Sequence, residues 1–217
     1  MSNPARRHRL FVAAQQSDPL SEAASLNHAS TYELLLFKLR QDRGQLHKVE
    51  SHLAKAEMKR RMLPTYQPWV AGVLAKDQGG QDAIVMHMLI WHLDVGDIAS
   101  GLDIAKYALR HDLATPEDFS RTLACLVAEL VTVAAQRNLT DKQPLDTAQL
   151  TRAQALLTGR DMPDAVKARL HKFVGYALRQ DGDNVFALAS LKEAVRLDEN
   201  SGVKTDIKQL EKLIQVA

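Results

Sequence analysis

At 217 residues, with 46% hydrophobic and 25% charged positions, the chain can bury one sizeable core or two small ones, which excludes a globally disordered protein. The net charge of +2 is unevenly spread: residues 1–61 hold eleven Lys/Arg against six Asp/Glu, a balance of +5, and the remainder carries −3, so a polyanion partner is expected for the N-terminal part. The single cysteine, Cys125, excludes an intrachain disulfide and a four-cysteine metal site, and reads as a small core residue of a cytosolic protein.

Taken in chain order, the N-terminus places Arg6, Arg7 and Arg9 close together, with no apolar stretch after them to make a signal peptide. After a loop at Ser17–Asn27, the pattern from Ala29 to Met62 suits one long amphipathic helix. Tyr32, Leu39, Leu46 and Leu53 are spaced by seven, and Leu35, Val49 and Ala56 fill the companion row, which Asp42 interrupts. Such a seam serves either the helix's own core or a coiled coil that joins copies of the chain. Gly44 inside it costs about 1 kcal/mol relative to alanine. Near the end of this helix stand Lys55, Lys59, Arg60 and Arg61, with Lys55 and Lys59 one turn apart on a common face. Pro64 is expected to end the helix, and Pro68-Trp69 to start the next.

The longest apolar run, Ala83–Trp91, is too short to cross a bilayer. Thr115-Pro116-Glu117-Asp118 reads as a helix start, with threonine as cap and acids in the first turn, opening a helix through Cys125 to about Arg137. Further helices are expected near 146–158, 164–180, 184–197 and 201–215. No segment alternates with a two-residue period, so the fold class is all-α.

One hairpin pattern occurs twice, at Gly96-Asp97 and at Gly182-Asp183. In each, glycine closes one helix in the left-handed region and aspartate caps the next. Small residues, Gly101 and Ala187, let the paired helices approach. The second copy resembles a tetratricopeptide unit at Gly175, Leu178, Gly182, Ala187, Leu191, Ala194 and Leu197, with Glu199 where that repeat usually has proline. Helical hairpins of this kind make scaffolds and binding surfaces. Three segments are therefore expected: 1–62, basic, with the long helix, for DNA binding and oligomerisation; 63–140, a central helical body; and 141–217, tetratricopeptide-like.

Motifs for chemistry are scarce. The chain has no Gly-x-x-x-x-Gly-Lys-Ser/Thr loop, no Gly-x-Gly-x-x-Gly and no Gly-x-Ser-x-Gly, so no catalytic residue and no cofactor is assigned. His87 and His92, like His47 and His52, are five apart and diverge by about 140° on a helix, so no metal site is assigned either. Asp94, Asp97 and Asp103 lie close in sequence, but Asp97 is accounted for as a cap. Pro163-Asp164-Ala165-Val166-Lys167 faintly resembles a nuclease signature, yet it opens a helix. The basic residues Arg6, Arg7, Arg9, Lys55, Lys59, Arg60 and Arg61 are the candidates for phosphate contacts, and Tyr32, Leu35, Leu39, Leu46, Val49 and Leu53 are those for oligomerisation.

The stretches Ser2–His8, Leu63-Pro64 with Pro68-Trp69-Val70, Met88–Ala99, Ile104–Leu109 and Asp161–Asp164 with Leu170-His171-Lys172 resemble, in order over nearly the whole chain, the small terminase subunit of Peduovirus-type temperate tailed phages. The resemblance implies a role in DNA packaging in the bacterial host cytoplasm. Such a subunit binds double-stranded phage DNA at the cohesive-end region, assembles as a homo-oligomeric ring, and directs the large ATPase and nuclease subunit that fills the procapsid. Members are often labelled the endonuclease subunit, so cutting of the cohesive ends by this chain is an alternative. A tetratricopeptide-like interaction scaffold is the third.

Overall fold

The computed structural model describes residues 3–16, 26–116 and 119–216, and among them every regular element is helical. Its contacts separate into two compact units, residues 1–120 and 121–217. No helix of the described residues is long and apolar enough to cross a membrane.

The first unit holds α1 (Pro4–Gln16), α2 (Leu26–His47), α3 (His52–Lys76), α4 (Ala83–Asp94) and α5 (Ile98–Arg110). The expected helix over 29–62 is divided. α2 stops at His47, and Ser51 caps α3 by accepting the amide of Ala54. The seven-residue seam had bridged this break because periodicity alone does not register a cap. After the elbow, α3 turns back on α2: the Tyr66 hydroxyl donates to Asp42 at 2.6 Å, and Tyr32 stacks on Trp69 with centroids 5.3 Å apart. Asp42, the interruption of the seam, is thus a buried acceptor that also takes the Lys38 ammonium at 2.9 Å.

Pro64 does not end a helix, and Pro68 does not begin one; both lie inside α3. Each removes an amide donor, a local loss of about 3 kcal/mol in an exposed helix. Here the buried side chains of Leu63, Tyr66, Trp69 and Val70 hold that stretch in the core, and tertiary packing outweighs the local preference. α1, outside the helices expected from sequence, packs on α3 at Gly72, where a Cβ would stand 2.5 Å from the carbonyl of Phe11. The apolar run of α4 is buried along its length from Ile84 to Trp91.

One carboxylate joins these helices. Asp82, 8% exposed, accepts the Trp69 indole N–H at 2.8 Å and caps α4 by accepting the amides of Ile84 and Val85. Burial raises its pKa, and the three donors work against that rise.

The second unit holds α6 (Leu123–Thr140), α7 (Thr147–Leu157), α8 (Asp164–Gln180), α9 (Asn184–Leu197) and α10 (Lys204–Val216). α6 starts later than expected. Thr122, not Thr115, is its cap, accepting the amide of Cys125, while Thr115 and Pro116 lie outside the helix and the Phe119 amide donates to the Pro116 carbonyl. Glu117 and Asp118 lie outside the described residues. The core of α8–α10 is built from Ala187, Leu191, Ala194, Val203 and Leu210, and Asp206 ties α10 to α8 by accepting from Arg179 and Tyr176.

Both Gly-Asp turns take the expected form. Gly96 and Gly182 have φ of 86° and 84°, the amides of Asp97 and Asp183 each reach a carbonyl five residues back at 2.9 Å, and the two carboxylates accept the amides of Ser100 and Phe186. The close approaches hold as well: a Cβ on Gly101 would stand 2.5 Å from Leu93, and one on Gly175 3.2 Å from the carbonyl of the fully buried Ala187.

Two outcomes test this packing. Asp82→Ala leaves the Trp69 N–H and the first amides of α4 without a buried acceptor and should cost about 3 kcal/mol. Asp82→Asn keeps an oxygen for the cap and should cost less; urea unfolding measures both. In the second unit, burial lowers the pKa of His171 below its ordinary 6.5, and its Nδ1 lies 2.9 Å from the Gln154 amide. A lowered histidine contributes stability that is complete above about pH 6.5 and is lost as pH falls through the folded value, because the unfolded chain takes the proton first. The fall in Tm between about pH 7.5 and about pH 5.5 should therefore be smaller for His171→Gln than for the natural chain.

Candidate nucleic-acid interface

The seven basic residues expected to meet phosphates divide into three groups. Arg6, Arg7 and Arg9 stand exposed on α1, which Gly72 holds against α3. No carboxylate among the described residues pairs with them. Lys59 and Arg60 are engaged inside the unit: the Lys59 ammonium, 16% exposed, pairs with Asp94 at 2.5 Å, and Arg60 pairs with Glu57 and donates to the Val95 carbonyl at 3.0 Å. These two side chains fasten α3 to the end of α4. Arg61 is exposed, and Lys55 is half-buried.

Lys55 and Lys59 are brought together along one wall of an open groove of about 550 Å³. The opposite wall is the end of α2, with Arg40, Arg43, His47 and Lys48, and Gly44 lies between them. Leu46 and Trp91 close the bottom, and no carboxylate lines the groove. Three of these cations, Arg40, Arg43 and Lys48, are not among the candidates that the sequence singles out. With 29–62 taken as one helix, Arg43 and Lys55 stand about 18 Å apart along the axis; the elbow at Lys48–Ser51 makes them neighbours. The available signal was Ser51, a helix-capping residue three positions before Ala54.

The expected oligomerisation seam is placed differently. Leu35, Leu39 and Leu46 are 4%, 2% and 7% exposed in the core of the first unit, and Tyr32 lies on Trp69. Val49 is half-buried, and Leu53 is 73% exposed. Leu34 and Phe37 of α2, at 69% and 58%, are the other exposed large apolar side chains of this unit among the described residues.

For carboxylate chemistry, Asp94 is bound to Lys59, and Asp97 caps α5 while accepting His92 Nδ1 at 2.9 Å. Its pKa is lowered: the Ser100 and His92 contacts outweigh the opposing effect of burial. Asp164 stands in the first turn of α8, 3.7 Å from Lys167. Among the described residues, no three or more His, Cys, Asp or Glu side chains gather as a metal-binding group.

Comparison with known proteins places this geometry in context. The family model described as the phage small terminase subunit matches residues 36–165, from the middle of α2 into α8. The chain is 43% identical over 98% of its length to the "Terminase, endonuclease subunit" of Escherichia phage P2, covering 85% of that protein. It is 25% identical over 56% of its length to the "Probable terminase, endonuclease subunit" of Haemophilus phage HP1, covering 42% of that protein. No solved structure matches. A family model spanning more than half the chain, together with a relative 43% identical over 98% of it, shows that this chain belongs to the phage small terminase subunit family.

Proposed function

We propose that the chain is a DNA-recognition and motor-adaptor subunit: it binds viral duplex DNA at the cohesive-end region, assembles as a homo-oligomeric ring, and directs the large ATPase and nuclease subunit that packages DNA into the procapsid. It acts in the cytoplasm of the bacterial host. Family membership supports the packaging role, and one observation carries the DNA-binding part. The cations Arg6, Arg7, Arg9 and Arg61 are exposed on the first unit with no carboxylate partner among the described residues. Cations in that state are available to replace the counterions of a phosphate backbone. A ring of such subunits binds tightly even if each contact is weak, because linked sites raise the effective concentration. For assembly, the exposed Leu34, Phe37 and Leu53 supply the apolar surface that the buried part of the seam does not.

The large subunit is assigned to the α8–α9 hairpin. Val185 and Phe186, in the first turn of α9, are 63% and 65% exposed, and two adjacent bare apolar side chains suit a protein partner better than solvent.

A second reading follows the printed names of the relatives, in which the chain itself cuts DNA. Magnesium-dependent cleavage by the purified chain alone, lost on Asp94→Ala or Asp97→Ala while the fold persists, would establish it in place of the adaptor reading.

Two outcomes are expected. Replacing Arg6, Arg7, Arg9 and Arg61 by glutamine should weaken duplex binding and flatten its salt dependence, the four contacts accounting for a slope of about −3.6 in log K against log salt per subunit. Unchanged affinity and slope in a fluorescence anisotropy titration would remove these residues from the interface. Val185→Ser with Phe186→Ser should leave DNA affinity as it is and abolish stimulation of the large subunit's ATPase; full stimulation would move the docking surface elsewhere.

A further inference from the structure

The cations that line the elbow between α2 and α3 are not those on α1, and their arrangement is concave. Arg40, Gly44, His47 and Lys48 lie along slightly more than two turns of α2 and its exit, facing Lys55 across the groove. No carboxylate among the described residues lies within ion-pair distance of Arg40, Lys48 or Lys55, whereas Lys59 at the same wall is neutralised by Asp94. Like charges gathered in a cleft focus their field there and favour an anionic occupant.

Gly44 is the second observation. It lies inside α2, where glycine weakens a helix relative to alanine, yet a Cβ at this position would meet nothing within 4 Å. Gly72 and Gly101, by contrast, are required by atoms that a Cβ would strike. The fold gives no packing reason for glycine at 44. What its absent side chain does is leave the helix backbone bare along the α2 wall of the groove, between Arg40 and His47.

We propose that this elbow seats the phosphodiester backbone of one strand of duplex DNA, which passes over Gly44 between the α2 and α3 cations; the inference rests on the DNA-binding reading above. From Arg40 to Lys48 the helix rises about 12 Å, the axial reach of about three phosphates along one strand. The groove is open, neither Phe nor Tyr is among the residues that line it, and Trp91 is buried at its base. It therefore holds a run of charge along a backbone, and it does not select a base or enclose a free nucleotide.

The experiment uses the full chain and fluorescence anisotropy with a duplex carrying the cohesive-end region, titrated with salt, together with thermal melting of each variant. Arg40→Gln with Lys48→Gln should weaken binding about tenfold and reduce the salt slope by about 1.8. Gly44→Leu, whose Cβ would meet nothing within 4 Å, should raise or preserve Tm while weakening duplex binding by a similar factor. Groove variants that bind with natural affinity and slope, while the glutamine variants of Arg6, Arg7 and Arg9 lose binding, overturn the elbow site and leave DNA recognition on α1. A natural chain that binds no duplex at low salt overturns both. Displacement of the duplex by micromolar pyrophosphate, which presents the same chemistry as a free anion, would overturn a backbone seat in favour of a small-anion site.

Discussion

The first unit depends on a buried carboxylate. An aspartate taken out of water loses a large hydration energy, and it stays in a fold only where donors replace that water. Asp82 has three: an indole N–H from α3 and two main-chain amides at the start of α4. The same indole is the platform on which Tyr32 of α2 stacks, so three helices meet at one charge. Burial, with the nearby Asp82 carboxylate adding to it, pushes the Tyr32 phenol up to about 12. The Asp42–Tyr66 hydrogen bond repeats the device one layer nearer the elbow. With both in place, the α2–α3 joint presents its cations on a fixed frame, and the geometry of the groove is inherited from two buried acids.

How much of this was legible in the sequence follows from how local each signal is. The two Gly-Asp turns were readable because both halves of the device, a positive φ and a cap, are completed within six residues. Most of the second unit's helix positions were readable for the same reason, since their caps and amphipathic faces lie side by side. Pro64 and Pro68 misled because their local cost is outweighed by Tyr66 and Trp69, whose partners Asp42 and Asp82 stand 24 and 13 residues away. Thr115 and Thr122 both offer a helix cap, and the sequence does not say which one the helix uses. Lys59 reads as a free cation because its partner Asp94 lies 35 residues further on; for Arg60 the same distance hides the Val95 carbonyl, while its acidic partner Glu57 is local.

The charge asymmetry seen in the sequence acquires a structural meaning that composition alone did not supply. Some of the N-terminal excess of positive charge is spent internally, fastening α3 to α4. What is left is carried by α1, by Arg61 and by the elbow. The match to the family model begins inside α2 and ends at the start of α8, so it includes the elbow groove but neither α1 nor the α9 hairpin, whose likeness to relatives rests on the longer alignment with the phage P2 protein.

Cys125 is the chain's one thiol, 3% exposed in the first turn of α6. A thiol so placed reacts with a soluble reagent only when α6 lifts from its neighbours, and no other sulfhydryl contributes to the signal. The second unit thus carries a built-in chemical clock. Its rate of labelling reports how often that unit opens, separately from the first unit, in a free subunit or in one bound to DNA.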